Sequence, residues 1–305
     1  MSMVAGPLGN FISMKCILCG NKKFKIVSRK LRDTNDPKFC VTRCMTCELI
    51  QLHPAPTVEE DREFYDQGLH IKNIREPIGL KIQRAKQLRD TLRRADLTAP
   101  MLLKNQSVLD IGSGFGFFVE EMRKRSFKSV GVETSRFARN IATKVTKAEI
   151  MDIDIMDKKF DKKFDAITMF HVFEHIKNPV NFLQRIKELL NKNGRLIIEV
   201  PNVEDLLLNT NKAYANFIWQ RAHYSYFSRD TLAKVFHQAG WRYCKFSFTQ
   251  RYGLENMMNW MINNKPQLYT PSYTHEGNYK WLESFYKKTI ISNGQADTLL
   301  AVARP

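Results

Sequence analysis

The residues of this chain whose types and spacing could do chemistry fall into three groups: paired cysteines near the front, a glycine turn bracketed by acids, and histidines that follow apolar runs. Cys16/Cys19 and Cys44/Cys47 form two Cys-x-x-Cys knuckles, a spacing that lets four thiolates meet one tetrahedral zinc ion. Four sulfur ligands leave no open coordination position, so such a zinc would be structural. A redox motif would need only one pair, and disulfides fit poorly in a chain that shows no secretory signal. Cys40 also lies close to Cys44, but Cys44/Cys47 matches the first knuckle better. Cys244, in an apolar and aromatic run, reads as a spectator.

The stretch "VLDIGSGFGFF", Val108 to Phe118, runs from an apolar strand through Asp110 into Gly112, Gly114 and Gly116. Glycines on alternate positions permit positive φ and close approach of a ligand to the backbone. The amides at the start of the following helix then face that ligand. The pattern D-x-G-x-G-x-G differs from the dinucleotide fingerprint G-x-G-x-x-G. A second acid, Glu133, ends the next strand in "VGVETS", where a carboxylate can accept both hydroxyls of a ribose.

His171 and His175 in "FHVFEHI" and His223 in "WQRAHYSYFS" are candidate proton acceptors, because an imidazole titrates near neutral pH. Glu174 beside His175 reads either as a structural hydrogen-bonded pair or as an acid–base pair. "HVFEHI" lacks the H-E-x-x-H order of a zinc-binding helix. His223 sits among Trp219, Tyr224, Tyr226 and Phe227, which we expect to form a lid over a substrate; the alternative is a small loop core.

Positioning these groups requires a scaffold. From Ser107 onward strand-like segments near 107–111, 129–133, 148–151, 164–170, 195–200, 242–248 and 297–303 alternate with helical ones near 117–125, 135–145, 179–191 and 229–239. This alternation predicts a mainly parallel α/β sheet covered by helices, with ligands at the carboxyl ends of its strands. Before it, residues 14–53 form a small cysteine module, and 54–100 a helical linker with Leu80, Ile82, Leu88 and Leu92 at helical spacing. Residues 249–296, rich in Tyr, Trp, Met and Asn, read as an insertion that shapes a substrate pocket, or as a helical cap or dimer contact.

The 305 residues, 43% hydrophobic and 11% aromatic, exclude a disordered or fibrous chain. No apolar run is long enough to span a membrane, so we expect a cytoplasmic, soluble protein. Residues 1–13 resemble a leader or tag, and "MKCILCG" from Met14 looks like a natural beginning. The net charge of +17 favours anionic partners, although the basic residues are scattered rather than run together.

With "VLDIGSGFGFF", "VGVETS", "FDAITMFHVFEHIKNP", "LLNKNGRLIIEVPN", "HYSYFSRDTLAKVFHQAGW" and "DTLLAVARP", the stretch 101–305 resembles the class I S-adenosylmethionine-dependent methyltransferases. The front end, "KCILCG…CVTRCMTCELIQLHPAP", resembles the zinc-binding leader of methyltransferases from sugar and polysaccharide pathways. The resemblance implies a Rossmann-like, doubly wound sheet of seven strands with the last antiparallel, preceded by a zinc ribbon. It implies that Asp110, Gly112, Ser113, Gly114 and Gly116 hold the methionine end of the cofactor and Glu133 the ribose. Asp152 or Asp154 with Ile153 would meet the adenine, although a solvated loop is the plain alternative for the two acids. Phe170 and His171 would flank the methionine end. His223 first and His175 second, beside Glu174, would take the acceptor's proton. Three functions follow as expectations: methylation of a hydroxyl or carbon on a small anionic acceptor such as a nucleotide-linked sugar or glycan precursor; methylation of RNA docked on the ribbon and basic surface; or a non-catalytic binding protein of the same fold. The tetrapeptide of many amino-methylating enzymes is missing, since Asn178-Pro179 is followed by Val180 and Asn181.

Overall fold

The computed structural model describes residues 15–66, 80–265 and 279–305. The leader-like segment 1–13, the middle of the linker and the middle of the 249–296 insertion therefore lie outside the described residues.

The cysteine module is an antiparallel sheet of β1 (Phe24–Ser28), β2 (Cys40–Cys44) and β3 (Ile50–His53). Helices α1 (Val58–Asp66) and α2 (Leu80–Thr98) follow, and Pro100 converts the end of α2 into a short 3-10 turn. The chain then alternates through β4 (Ser107–Ile111), α3 (Phe117–Lys124), β5 (Lys128–Val132), α4 (Arg136–Val145), β6 (Ile150–Met151), β7 (Phe164–Phe170), α5 (Pro179–Glu188) and β8 (Leu190–Pro201). After it come α6 (Leu206–Thr210), α7 (Lys212–Ile218), β9 (Ser225–Tyr226), α8 (Arg229–Gln238), β10 (Tyr243–Thr249), α9 (Leu254–Asn263), α10 (Lys280–Ser292) and β11 (Thr298–Arg304).

Seven strands form one sheet in the order β10-β11-β8-β7-β4-β5-β6. Neighbours from β8 to β6 run parallel, whereas β11 is antiparallel to both β8 and β10. This is the expected α/β sheet with its last strand reversed. Strand order turns around at β4, with β5 and β6 on one side and β7 and β8 on the other, which opens a crevice at the carboxyl end of β4. Leu109, Ile167, Met169 and Ile198 along the central strands are wholly buried. Each contributes about 1.5–3 kcal/mol of burial, which is why these strands read as continuous apolar runs.

Three local expectations change. The helix read over 179–191 stops at Glu188, because Leu190 already pairs with Phe164 and the Asn191 side chain bonds Asp165. α2 forms, but Ile82, Leu88 and Leu92 are exposed among the described residues, while Gln83, Thr91, Ala95 and Thr98 face inward. The segment 219–227 is not a free lid. β9 pairs with β3 and completes a four-stranded sheet with the cysteine module, and Trp219, His223, Tyr224, Tyr226 and Phe227 are all buried. Cys16, Leu18, Cys44, Cys47 and Leu49 accordingly share one apolar cluster with Phe173, Phe227 and Leu232. Among the described residues no helix is long and apolar enough to cross a membrane.

Candidate active site

The carboxyl end of β4 delivers Asp110, buried beneath the crevice and bonded by the Thr168 hydroxyl of β7 at 2.7 Å. Burial pushes its carboxyl up to about 7; the Thr168 bond and the nearby Arg94 cation oppose that rise, and the Glu133 charge adds to it. Beyond it, Gly112, Gly114 and Gly116 all adopt positive φ, from +53° to +73°. A Cβ at Gly112 would lie 2.3 Å from Val172 Cγ2, and one at Gly116 would crowd Thr146 and Ala148, so the protein's own packing requires these two glycines. Among the described residues, a Cβ at Gly114 would meet nothing within 4 Å. Space is kept there without a protein neighbour to need it.

Glu133 ties this turn to the next strand. Its carboxylate accepts the Gly114 N–H at 2.9 Å on one oxygen and the Ser135 N–H at 2.8 Å on the other. Ser113 N–H donates to Val132 O at 3.0 Å, and the Ser113 side chain occupies the room left by Gly131. Arg139 bonds both the Glu133 carbonyl and the Asp152 carboxylate, drawing the ends of β5 and β6 together. Asp154 caps its own turn by accepting the Met156 N–H at 2.8 Å, and Ile153 packs half-buried against the core. The structure thus gathers Asp110, the glycine turn and Glu133 at one edge of the crevice, with Asp152 at the neighbouring strand end.

The opposite edge carries the histidines. Phe170 ends β7 edge-on to Phe118, at 4.9 Å between ring centres. His171 follows at φ +59°, its N–H held by Glu199 O, and its Nε2 accepts a bond from Arg251 at 2.8 Å. Burial, reinforced by the Arg251 charge, holds His171 well below the ordinary histidine range and therefore neutral. Its Nδ1 lies 3.5 Å from Glu174 Oε1. Glu174 is buried to 1% exposure and its Oε2 has no hydrogen-bond partner among the described residues, so burial pushes the carboxyl up to about 8. His175 donates its Nδ1–H to Ala222 O at 2.7 Å. Its ring stands edge-on to that of His223, 4.8 Å away, and His223 Nε2 lies 4.0 Å from Glu174 Oε1. Burial, with His175 alongside, keeps His223 well below the ordinary range and therefore neutral at neutral pH, with the Gln220 side-chain amide nitrogen 2.7 Å from its Nε2. His171, Glu174, His175 and His223 are therefore one cluster, with Glu174 and His223 buried and His171 and His175 half-buried.

Sequence reasoning missed the guanidinium groups beside it. Arg93 and Arg94 reach from α2 to Glu199, which has zero exposure at the end of β8, at distances of 2.5–3.0 Å. Arg94 also lies over the Phe170 ring, and Arg251 bonds Asp90 through two nitrogens. The signal in the sequence was an acid inside the apolar run "LIIEV", which a buried strand tolerates only with a partner.

At the front, all four expected cysteines converge. Cys16 Sγ lies 3.4 Å from Cys47 Sγ and Cys19 Sγ 3.5 Å from Cys44 Sγ, and all four sulfurs lie within 4.8 Å of one another. Tetrahedral ligation at ~2.3 Å puts sulfurs about 3.8 Å apart, so the set fits such an ion. A disulfide would need about 2.05 Å. Burial pushes the Cys16 thiol up to about 11, a charge cost that a bound dication would reverse. Cys40 is buried in β2 outside this cluster, and Cys244 is half-buried in β10.

Known proteins share this architecture. A family model described as a methyltransferase domain matches residues 80–245. A tRNA U34 carboxymethyltransferase of Alteromonas mediterranea is 29% identical over 143 residues, 41% of this chain and 43% of the relative. A ubiquinone biosynthesis O-methyltransferase of Pelagibacter ubique is 32% identical over 108 residues, covering 33% and 44% of the two chains. The matched part is thus less than half the length of either relative. Phosphoethanolamine N-methyltransferase 2 of Haemonchus contortus, solved with S-adenosyl-L-methionine, superposes with a TM-score of 0.50 over 71% of this chain and 52% of its own, at 18% identity, a likeness of fold.

Proposed function

The chain belongs to the methyltransferase-domain family, and from that premise we propose that it transfers a methyl group from S-adenosylmethionine to a small anionic acceptor, at a hydroxyl or carbon of a nucleotide-linked sugar or glycan precursor. The observation that carries the cofactor half of this reading is the open space above Gly114, whose amide is held by Glu133 at 2.9 Å. Glu133 beside that space and Asp110 buried beneath it suit a ligand that bears both a sulfonium and an ammonium charge, since a cation brought close would lower the raised Asp110 carboxyl. When bound, the sulfonium supplies an electrophilic methyl group.

In this reading Asp110 and the turn Gly112, Ser113, Gly114 and Gly116 hold the methionine end, with Phe170 and His171 as its far wall. Glu133 exchanges its amide bonds for the ribose hydroxyls, and Asp152, Ile153 and Asp154 border the adenine. An acceptor hydroxyl or carbon taking that methyl group would have to give up its proton to a side chain of this protein. His223, kept neutral by burial, takes that proton in the first instance and His175, its Nδ1–H tied to Ala222 O, in the second, with Glu174 beside both. Cys16, Cys19, Cys44 and Cys47 would hold a zinc ion through four thiolates, and an ion so held would serve the fold rather than the reaction.

The likeness to a tRNA-modifying enzyme and the +17 charge favour RNA as the second reading. The test is mass spectrometry of a nucleotide-sugar extract and of tRNA, each incubated with the protein and the trideuteromethyl cofactor. We expect one small anionic species to gain the label. Label confined to tRNA replaces the first acceptor by the second, and the absence of cofactor binding by calorimetry removes both. Retained full turnover with both His175→Ala and His223→Ala in place takes the histidines out of the mechanism.

A further inference from the structure

We propose that Arg32 and Asp33, consecutive residues of the loop between β1 and β2 in the cysteine module, are positioning residues for His175 and His223. This inference rests on the reading that those histidines accept the proton. The geometry that carries it is a pair of parallel relays, one through each residue.

The Asp33 carboxylate accepts two backbone N–H groups, from Arg221 at 2.6 Å and from Ala222 at 3.1 Å. A carboxylate bonded to two successive amides fixes the orientation of that stretch of backbone. The carbonyl of Ala222 is the acceptor for His175 Nδ1–H at 2.7 Å. Because a carbonyl can only accept, this bond puts the His175 proton on Nδ1 and leaves the lone pair on Nε2. Asp33 therefore holds the residue that selects the tautomer of His175.

Arg32 acts on the other ring. Its backbone N–H donates to Trp219 O at 2.8 Å, and its guanidinium donates to Gln220 Oε1. With Gln220 Oε1 occupied, the amide nitrogen is turned toward the imidazole and lies 2.7 Å from His223 Nε2. The same guanidinium lies over the Phe217 ring at 4.5 Å, which limits its own freedom.

The segment between these contacts is pinned to the module again further on, where Leu52 N–H donates to Tyr224 O and β9 pairs with β3. From the other side Tyr224 N–H donates to Glu174 O at 2.9 Å. The histidines are thus set between two parts of the chain, and the module supplies contacts that the Rossmann-like sheet does not.

The experiment uses the full-length, metal-loaded protein with 15N-labelled histidine, and compares wild type with Asp33→Ala, Asp33→Asn and Arg32→Lys. Long-range imidazole spectra report tautomers directly. Wild type is expected to show His175 as the Nδ1–H form. Asp33→Ala is expected to move the His175 signals toward a mixed tautomer and to lower kcat by roughly tenfold or more, with KM for the cofactor held within about twofold. Asp33→Asn, which keeps one acceptor oxygen, falls between, and Arg32→Lys moves the His223 signals while leaving those of His175 in place. If Asp33→Ala does not fold, the Asn and Lys variants carry the same comparison. Unchanged imidazole spectra in the folded variants overturn the proposal, as does a loss confined to KM. If the spectra shift as expected while neither histidine matters for turnover, the positioning stands and the proton-acceptor reading falls.

Discussion

At the scale of single residues, the glycine turn separates what the protein needs from what a ligand needs. Gly112→Ala meets Val172 at 2.3 Å in addition to the left-handed backbone, whereas Gly114→Ala bears the backbone strain alone, of order 1–2 kcal/mol. We expect Gly112→Ala to melt well below Gly114→Ala in a thermal scan, while Gly114→Ala loses about tenfold or more in cofactor affinity, about 1.4 kcal/mol, by calorimetry. Normal affinity in Gly114→Ala would mean that nothing approaches the backbone there. Glu174 makes a second prediction, in pH. Its carboxyl titrates near 8 when folded against an ordinary 4.5, so between those values the folded chain keeps a proton that the unfolded chain has released. Stability contributed at this site is therefore greatest at low pH and falls as pH rises, by up to about 1.4 kcal/mol per unit, levelling off above 8. Glu174→Gln removes the titration, so the gap in urea midpoint between variant and wild type should widen in the variant's favour from pH 5 to pH 8. Parallel profiles would mean that the carboxyl is ionised in the fold.

At the scale of elements, the cysteine cluster and the sheet cannot be treated as separate bodies. Cys44 and Cys47 lie in the same apolar cluster as Phe173, Phe227 and Leu232, and β9 belongs to the cysteine module's sheet. Stripping the metal with a strong chelator is expected to lower the melting temperature of the whole chain in one cooperative transition by scanning calorimetry. Two resolved transitions would show the module melting alone. The same sharing explains what could be read in advance. β4, the glycine turn, α3 and the Glu133 strand end follow from local pattern and from steric demands within a few positions, and their bounds differ from expectation by a residue at most. The Arg93–Glu199 and Arg251–Asp90 pairs join residues 106 and 161 positions apart, and the basic face of α2 has the composition of a solvated surface. β9 is two residues long, too short to show a period, so nothing local distinguished a lid from a strand that docks on another sheet.

At the scale of the molecule, the excess of 48 basic over 31 acidic residues invites a polyanion, yet the guanidinium groups nearest the crevice are already engaged inside the protein. Arg93 and Arg94 are bound to Glu199, Arg251 to Asp90, and Arg185 to the carbonyls of Ile155 and Asp157. Electrostatic attraction at the site is therefore local and short-ranged, whereas the remaining charge is spread over the exterior. A small acceptor with one or two phosphates displaces few counterions, but an RNA laid across that exterior displaces many. Salt separates the two cases: neutralising 6–10 phosphates weakens binding by about 10³–10⁵ between roughly 50 and 200 mM salt. We expect KM for the methyl acceptor to rise less than about tenfold over that range, measured as label transfer at saturating cofactor. A rise of several decades would locate the acceptor on the basic exterior and make RNA the substrate.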